Sequence, residues 1–425
     1  MNARASRDLL DLPGGPLALA LGTELRQEHY RFVPSKELSE GDIAGYGGNI
    51  AFVDRKRNAD ALFAELNLPL LKGLEADAAV RFDHYQGVGN ATTPKLSLRW
   101  QPLNAVLLRG SAGKGFRAPS LADLYSPPTT GVSIQGQTDP LRCPVTNDGT
   151  KDCGTQFATL VGGNARLVPE KSKNLSMGLV LEPLPGMSVA VDTFRITLKD
   201  TISNGIAPAV ILADLGKYGS YVRRGPVDPA YPNLPGPIAS IDQRNLNVGQ
   251  TRVAGTDVDL RWRLGAGDAG RFTLVFTGTY FARFDTENPD GSFSGGVDQV
   301  NTTTGGIVPR VKTYQSLTWE RKPWSFTLAY NWQKGYTDMP GATFDDPTDP
   351  AFRPRRVGAY ETLDTHLSYT GLKDIKLALG IKNLLDRNPP YTNSGGQTSF
   401  QSGYDPQYAD PRGRFIYLQA SHAFP

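Results

Sequence analysis

Apolar and polar side chains alternate with a period of two along many short segments of this chain. In residues 375–382, IKLALGIK, every odd position is apolar and every even position is small or charged. Consecutive residues of a β-strand point to opposite faces of a sheet, so this pattern predicts a strand with one apolar face. The alternation recurs in residues 256–264 and 272–283, whose second face carries Asp, Arg or Thr.

The alternation predicts an all-β chain of about fourteen strands, most of about 9–14 residues. They cover residues 17–30, 57–68, 74–85, 94–101, 105–116, 171–182, 187–200, 251–264, 271–284, 311–320, 324–336, 359–369, 375–383 and 415–424. In residues 187–200 the apolar positions change parity between Val191 and Phe194, which predicts a β-bulge. Residues 206–215 have a helical period, and we expect a short loop helix there.

The connections between the predicted strands alternate between short and long. The short ones are PLLKG, QPLN, EPLPG, LGAGDAG, RKP and TGLKD; the long ones fill residues 33–56, 117–170, 201–250, 285–310, 337–358 and 387–414, and residues 86–93 are intermediate. Antiparallel up-and-down strands with short periplasmic turns and long extracellular loops are typical of a transmembrane β-barrel of the outer membrane. The sequence therefore predicts such a barrel, and a soluble β-rich binding or carbohydrate-active protein is the alternative.

Four of the five tryptophans support a membrane barrel. Each of these four lies within a few residues of a predicted short turn, where an interfacial aromatic girdle is expected: Trp100, Trp262, Trp319 and Trp324. Trp332 lies instead in the other half of its strand.

Composition excludes several other classes of protein. The chain has 425 residues with 45 basic and 42 acidic side chains, and both signs are interleaved, so it lacks the one-sided basic stripe of a nucleic-acid-binding protein. No run of about 18 apolar residues predicts a transmembrane helix. The mean hydropathy of -0.34 is compatible with spanning strands, because only one face of each strand is apolar.

No arrangement of residues predicts catalysis, a cofactor or a metal site. No nucleophile elbow, phosphate-binding loop or dinucleotide-binding motif stands between a strand and a helix. The histidines lie on different predicted strands without metal-ligand spacing: His29, His84, His366 and His422. The only cysteines, Cys143 and Cys153, stand ten positions apart in a polar segment. We expect one local disulfide formed in an oxidising compartment, and two unpaired thiols are the alternative.

Four motifs stand in order along the chain. They are KGFRAPS at residues 114–120, EKSKN at 170–174, KNLLD at 382–386, and DPRGR at 410–414 before a last strand ending at Phe424. Together they resemble the GFRAPS, P-E-x-S-x-N, NLxD and terminal Gly-Arg signatures of TonB-dependent outer-membrane receptors. Proline cannot extend a strand ladder, and Asn and Asp stabilise turns. We therefore interpret Arg117, Pro119, Asn383 and Asp386 as turn residues rather than ligand contacts.

The resemblance implies a signal peptide, a TonB box, a plug domain and a barrel of 22 strands. The chain begins with MNARASRDLLDLPGG, which has no signal-peptide pattern, and it offers only about fourteen strands. We therefore expect residues 1–425 to be the C-terminal part of the barrel, a fragment without the plug domain that transports nothing alone. A smaller re-closed barrel is the alternative, since hydrocarbon tolerates no open sheet edge. Pro425, which follows Phe424, is expected to weaken recognition by the barrel-assembly machinery.

The resemblance also implies a function, which is TonB-energised uptake of a scarce ligand across the outer membrane of a Gram-negative bacterium. The partners it implies are outer-membrane lipid, the TonB–ExbB–ExbD complex acting through the missing plug, the barrel-assembly machinery and a ferric siderophore. Cobalamin and oligosaccharides remain alternative ligands, and a passive diffusion pore is an alternative function. Candidate ligand contacts in the loops are Tyr218, Tyr221, Arg223 and Arg224, which are equally suited to packing loop against loop.

Overall fold

The computed structural model describes residues 1–42, 50–288, 291–300, 306–338, 353–393 and 403–423. Its strands are β1 (Asn2–Leu12), β2 (Gly15–Phe32), β3 (Val53–Leu71), β4 (Leu74–Tyr85), β5 (Gly89–Leu103), β6 (Val106–Arg117), β7 (Thr129–Val132), β8 (Ala158–Val161), β9 (Glu170–Leu181), β10 (Met187–Ser203), β11 (Val222–Arg224), β12 (Ile238–Asp242), β13 (Leu246–Gly265), β14 (Arg271–Glu287), β15 (Phe293–Gly295), β16 (Val311–Arg321), β17 (Trp324–Gln333), β18 (Tyr336–Thr337), β19 (Arg356–Val357), β20 (Tyr360–Leu372), β21 (Ile375–Lys382) and β22 (Phe415–His422). The helices are α1 (Lys36–Glu40), α2 (Leu121–Tyr125), α3 (Cys143–Thr146), α4 (Pro208–Ala213) and α5 (Leu215–Tyr218), with 3₁₀ turns at Gly219–Tyr221 and Gly267–Ala269.

Fifteen strands form one continuous antiparallel sheet in which each long strand pairs with the next one along the chain. Their order is β1-β2-β3-β4-β5-β6-β9-β10-β13-β14-β16-β17-β20-β21-β22, and the short β15 also pairs with β14. Two smaller sheets, β11-β12-β8-β7 and β18-β19, lie within the loops. The predicted up-and-down arrangement of antiparallel strands is therefore confirmed. None of the helices in the described ranges is long and apolar enough to cross a membrane.

Each of the predicted strands corresponds to a strand of the large sheet, but the sequence analysis missed β1. This strand pairs with β2 from Asn2↔Glu24 to Leu12↔Gly15, and its register shifts between Asp8 and Leu10. A shift of one residue exchanges the two faces of a strand, so the two halves of β1 carry opposite parity and no continuous period of two is visible. At the other end of the chain, Phe424 and Pro425 lie outside the described residues.

The connections alternate in length as the sequence predicts. Short turns occupy residues 13–14, 72–73, 104–105, 182–186, 266–270, 322–323 and 373–374, all at one end of the sheet. The connections at the opposite end span residues 33–52, 118–169, 204–245, 288–310, 334–359 and 383–414, and residues 86–88 are the short exception. We refer to this second end as the loop end.

The two faces of the sheet differ in chemistry. Cross-strand partners share a face, and one continuous row of partners is Leu66, Ala78, Leu96, Ala112 and Leu175. The adjacent row, on the opposite face, is Glu65, Ala79, Lys95, Gly113 and Asn174. An outer-membrane barrel turns its apolar face to lipid and its polar face to the lumen, so we call these the outward face and the inward face.

The tryptophans predicted for the girdle lie beside the short turns. Trp324 pairs with Tyr369, and their ring centroids are 4.5 Å apart. The indole Nε1 of Trp319 donates a hydrogen bond of 2.8 Å to the carbonyl oxygen of Ala269, in the turn at residues 266–270. An aromatic ring with a polar tip suits the boundary between hydrocarbon and water.

The β-bulge predicted in residues 187–200 is wrong. β10 keeps one register with β9 from Val189↔Leu181 to Lys199↔Lys171. The apolar positions change parity because the apolar side chains move from one face to the other along an unbroken strand: Val191 faces outward, whereas Phe194, near the middle of the strand, faces inward. There the Phe194 ring meets the Phe281 ring edge-on, with centroids 6.2 Å apart. The predicted loop helix at residues 206–215 is present as α4 and the start of α5.

Candidate ligand site at the loop end

Two of the four motifs bond to each other at the loop end. Arg117 ends β6, Glu170 begins β9, and the two residues are cross-strand partners. Arg117 donates from Nε and Nη2 to the two carboxylate oxygens of Glu170 at 2.6 and 2.7 Å. Glu170 Oε1 also accepts a hydrogen bond of 2.7 Å from the backbone N–H of Ile202. This bidentate pair fixes the geometry with which the chain leaves the sheet.

The next residues of the KGFRAPS motif hold the start of loop 118–169 in place through hydrogen bonds. The carbonyl oxygen of Pro119 accepts a hydrogen bond of 2.7 Å from Nη1 of Arg57 on β3. Ser120 caps α2, because its Oγ accepts from the N–H of Asp123 and its own N–H donates to the Asp123 carboxylate, at 3.0 and 2.9 Å. These contacts are structural, in agreement with the interpretation of the motif as a turn.

The two C-terminal motifs are joined in a similar way. Asn383 has a φ of 50°, and its side-chain amide both donates to and accepts from the backbone of Arg387, at 2.9 and 2.8 Å. Asp386 Oδ1 accepts a hydrogen bond of 2.8 Å from the N–H of Arg414. Asn and Asp tolerate positive φ and bond to nearby backbone, so these residues close the turn after β21.

Loops 118–169 and 204–245 fold together into a unit that we call the loop unit. Its four-stranded sheet combines β7 and β8 of the first loop with β11 and β12 of the second, and Ile241 of β12 pairs with Thr159 of β8. The apolar cluster of the loop unit consists of Phe157, Ile206, Ile211, Leu212, Tyr218 and Ile241. Burial of these side chains holds the two loops together at the loop end.

A disulfide and two ion pairs reinforce the loop unit. Cys143 and Cys153 are joined by a disulfide bond, with Cα atoms 5.1 Å apart. Arg142 and Asp152 are both almost fully buried, and Arg142 Nε donates to the two carboxylate oxygens at 3.0 and 3.1 Å. Arg224 donates to the fully buried Asp139 at 2.6 and 3.0 Å.

The Arg224 side chain sets the charge of Asp139. Burial alone would raise the pKa of this carboxyl, because a low-dielectric environment disfavours the charged form. The hydrogen bonds from Arg224 and from the backbone N–H of Leu141 outweigh this effect and hold the pKa of Asp139 below its ordinary value. The loop unit therefore keeps a carboxylate charged in its interior at neutral pH.

The structure brings the four predicted ligand contacts into the loop unit but gives them different surroundings. Tyr218 is buried in the apolar cluster, and Tyr221 packs against that cluster. Arg224 forms an ion pair with Asp139. Arg223 is exposed. Three of the four candidates thus pack loop against loop, and Arg223 alone among the four has an exposed side chain.

A basin of about 620 Å³ lies on the inward face beside the start of loop 118–169. Its charged lining residues are Arg57, Arg81, Lys114, Arg117, Glu28 and Asp83. Tyr85 forms an aromatic wall, with its ring centroid 4.9 Å from the guanidinium carbon of Arg57 and its hydroxyl 2.8 Å from Nη2 of Arg26. Sequence reasoning missed this basin, although the charged inward positions of β3 and β4 were a visible signal.

A second cluster joins loops 334–359 and 383–414. Its buried residues are Tyr336, Val357, Tyr360, Tyr408 and Ala409. The hydroxyl group of Tyr408 lies 3.1 Å from the carbonyl oxygen of Lys334 and 3.0 Å from that of Gly358. Burial raises the pKa of Tyr408 well above its ordinary value, so the phenol stays protonated and can donate to these carbonyl oxygens.

No group of three or more His, Cys, Asp or Glu side chains is placed to hold a metal ion in the described parts of the chain. The site that the structure offers is instead a basin beside packed loops, lined by aromatic rings, four cations and two carboxylates. Such a lining suits an anionic aromatic ligand.

A family model described as the TonB dependent receptor-like beta-barrel matches residues 3–384. The chain belongs to this family. TonB-dependent receptors are outer-membrane proteins and are not enzymes, so the predicted fold class and the prediction that the chain is not an enzyme are confirmed. The interpretation of the four motifs as a resemblance to this family is confirmed as well.

Two receptors are similar to this member of the family in sequence. The ferrienterobactin receptor of Escherichia coli is 22% identical over 384 residues, which cover 87% of this chain and 43% of that receptor. The ferric enterobactin receptor of Pseudomonas aeruginosa is 26% identical over 169 residues, which cover 40% of this chain and 20% of that receptor.

Solved structures show the same fold. A variant of the Pseudomonas aeruginosa ferric enterobactin receptor in complex with enterobactin superposes with a TM-score of 0.70 at 20% identity, covering 100% of this chain and 54% of that one. The siderophore receptor PirA from Acinetobacter baumannii superposes with a TM-score of 0.67 at 16% identity and the same coverage. This chain thus spans about half the length of the receptors that it matches.

Proposed function

We propose that this chain forms part of the transmembrane barrel of an outer-membrane receptor that takes up a ferric siderophore. Energy would come from the TonB–ExbB–ExbD complex through a plug domain, and insertion into the membrane would depend on the barrel-assembly machinery. Family membership and the names of the similar receptors support this proposal. In it, residues 1–425 form one barrel domain without a plug.

The observation that carries the proposal is the inward-facing basin at the loop end. Four cations and two carboxylates line it together with Tyr85 and Phe116, and the loop unit begins at its rim with Ala118 and Ser120. A ferric catecholate is anionic and aromatic, so guanidinium groups and aromatic rings are suitable contacts for it. The iron would arrive already chelated, and the protein need supply no metal ligand.

Binding of a ferric siderophore to the purified chain tests the proposal. We expect detergent-solubilised protein to retain radioactive ferric enterobactin saturably, and to retain the iron-free siderophore far more weakly. Replacement of Arg81, which lines the basin, by Gln is expected to weaken binding by about tenfold or more, the contribution of one hydrogen bond to a charged group.

Arg321→Gln is the matched control, because this arginine ends β16 beside a short turn, at the opposite end of the sheet. It is expected to bind the ferric complex as the unaltered protein does. Retention that rises linearly with concentration, or equal retention of ferric and iron-free siderophore, would show that the chain does not recognise this class of ligand.

A further inference from the structure

The sheet has a fork between β5 and β6 at the loop end. Pairing of these strands begins at Lys95↔Gly113, whereas β5 continues to pair with β4 up to Gly89↔Tyr85, and β6 with β9 up to Arg117↔Glu170. Residues 89–94 and residues 114–117 therefore form no cross-strand backbone pairing with each other. Pro94 stands at the base of the fork, where a residue without a backbone N–H cannot extend the ladder.

A cavity of about 510 Å³ occupies this fork. Residues of both separated strands line it, and it extends over β9 and β10. Its apolar lining includes Val88, Phe116, Val168 and Pro169. The Phe116 ring meets the inward-facing Tyr85 edge-on, with centroids 5.7 Å apart, so an aromatic contact stands between this cavity and the basin.

Four lysines line the same cavity: Lys114, Lys171, Lys173 and Lys199. Lys114 pairs with Lys173, and Lys171 pairs with Lys199, so all four share one face of the sheet. All four are exposed, and within the described ranges none of them has a carboxylate oxygen within 4.0 Å. Like charges this close repel one another, and nothing described in the chain balances them.

That face is the outward one. Lys173 follows Leu175 at the next outward position of β9, and Leu175 belongs to the apolar row that faces hydrocarbon. A strand rises about 3.3 Å per residue and tilts by about 45°, so Lys173 lies about 5 Å and Lys171 about 9 Å nearer the loop end along the membrane normal. Lys171 is ten residues from Leu181, which ends β9 beside a short turn, so it lies about 23 Å from that end along the membrane normal. The apolar band of an outer-membrane barrel is about 25 Å tall, so Lys171 lies at its edge, next to the headgroup layer.

We propose that the cavity at the β5–β6 fork binds the phosphorylated headgroup of a membrane lipid in the leaflet at the loop end. The four lysines match the phosphate charge, and the apolar lining beside them accepts the first segment of an acyl chain. A lipid fits better than a soluble anion, because Lys171, Lys173 and Lys199 adjoin the hydrocarbon-facing row and do not line the inward basin. The inference depends on the membrane location of the barrel and not on the identity of its siderophore.

Native mass spectrometry of the full chain in detergent tests this inference. The probes are bis-phosphorylated lipid A, the same lipid after removal of both phosphates, and inorganic pyrophosphate. We expect the phosphorylated lipid to bind at least about tenfold more tightly than the dephosphorylated one, and replacement of Lys114, Lys171, Lys173 and Lys199 by Gln to remove that preference.

The matched control replaces four exposed lysines away from the fork by Gln, namely Lys72, Lys151, Lys322 and Lys373. It removes the same charge and is expected to keep the preference. The double variant Lys171→Gln, Lys199→Gln is a milder test should the quadruple variant not fold, and it is expected to lose part of the preference. Folding is monitored by the heat-dependent shift in gel mobility.

Three results would overturn the inference: equal binding of both lipids, the same loss of preference in the control variant, or displacement of the lipid by an equal concentration of pyrophosphate. The last result would assign the cavity to a free anion. Ferric enterobactin binding is measured on the same samples. Lys171 and Lys199 line the cavity but not the basin, so siderophore binding is expected to survive in the double variant Lys171→Gln, Lys199→Gln, which keeps Lys114. Each proposal can therefore fail without the other.

Discussion

At the scale of single residues, the loop unit depends on buried charges. Asp139 is fully buried, and Arg224, which is 18% exposed, holds it with two hydrogen bonds. The variant Arg224→Gln leaves this carboxylate with the backbone N–H of Leu141 but without its cation. Breaking a buried pair in this way is expected to cost about 3 kcal/mol of local stability. The loss of local stability is measured by hydrogen exchange or by limited proteolysis of residues 118–169.

Arg244→Gln is the matched control for that variant, because Arg244 pairs with Asp242 while both side chains remain more than 30% exposed. Exposed pairs contribute below about 1 kcal/mol, so proteolysis of the control is expected to match that of the unaltered chain. Equal rates of proteolysis in the Arg224→Gln and Arg244→Gln variants would show that burial of the Arg224–Asp139 pair does not stabilise the loops.

The same pair predicts how the loop unit responds to acid. The pKa of Asp139 is lower in the folded protein than its ordinary value of about 3.9, so the pair stabilises the fold fully above that value. Stability is lost as the pH falls through the lowered pKa, because the carboxyl must then bind a proton. Protease resistance of residues 118–169 is expected to decline in that acid range. In the variant Asp139→Asn the decline should be shallower, and an unchanged acid profile would rule out this carboxyl as its source.

At the scale of elements, the sequence was sufficient to locate a strand wherever each face of that strand keeps one environment along its length. The period of two located the long strands because lipid lies on one side and the lumen on the other over most of their length. The same rule failed in β10, where the apolar Phe194 faces inward against Phe281, and in β1, where a register shift exchanges the faces. The period of two showed that β3 and β4 carry charged inward positions, but it did not locate the basin. Which of those residues meet depends on contacts between residues far apart in sequence, such as that of Arg57 with Pro119.

Neighbouring positions of β4 test the assignment of the two faces. Val80 is outward and pairs with Ala64, whereas Ala79 is inward and pairs with Glu65. Arginine at a lipid-facing site near the middle of the bilayer costs about 2–4 kcal/mol, so Val80→Arg is expected to lower the free energy of unfolding in lipid vesicles by that amount. Ala79→Arg places the same charge beside Glu65 and is expected to change it by less than about 1 kcal/mol. Denaturant titration measures both, and equal costs would contradict the assignment.

At the scale of the whole molecule, the alternation of short and long connections divides the protein into two unequal ends. The short turns leave little polypeptide at one end, while the loop unit and the buried cluster around Tyr336, Tyr360 and Tyr408 lie at the other. The motifs by which the sequence resembles its family lie at this loop end and bond to one another there, as in Arg117–Glu170 and Asp386–Arg414. Their role is therefore structural, and this role identifies the family. Ligand recognition depends instead on the basin and on the exposed parts of the loops.

This division predicts opposite exposure of the two ends in a living cell. Val227 is 53% exposed in the loop unit, and Lys373 lies in the two-residue turn before β21. With the chain exported behind a secretory leader, a membrane-impermeable maleimide is expected to label Val227→Cys on intact cells and Lys373→Cys only after the outer membrane is permeabilised. Both native cysteines are in a disulfide and give no background. The reverse pattern would place the short turns outside. The basin and the cavity at the β5–β6 fork both lie at the loop end. In that case the basin would not face the outside, from which the siderophore comes, and the cavity would not face the outer leaflet, which contains the phosphorylated lipid.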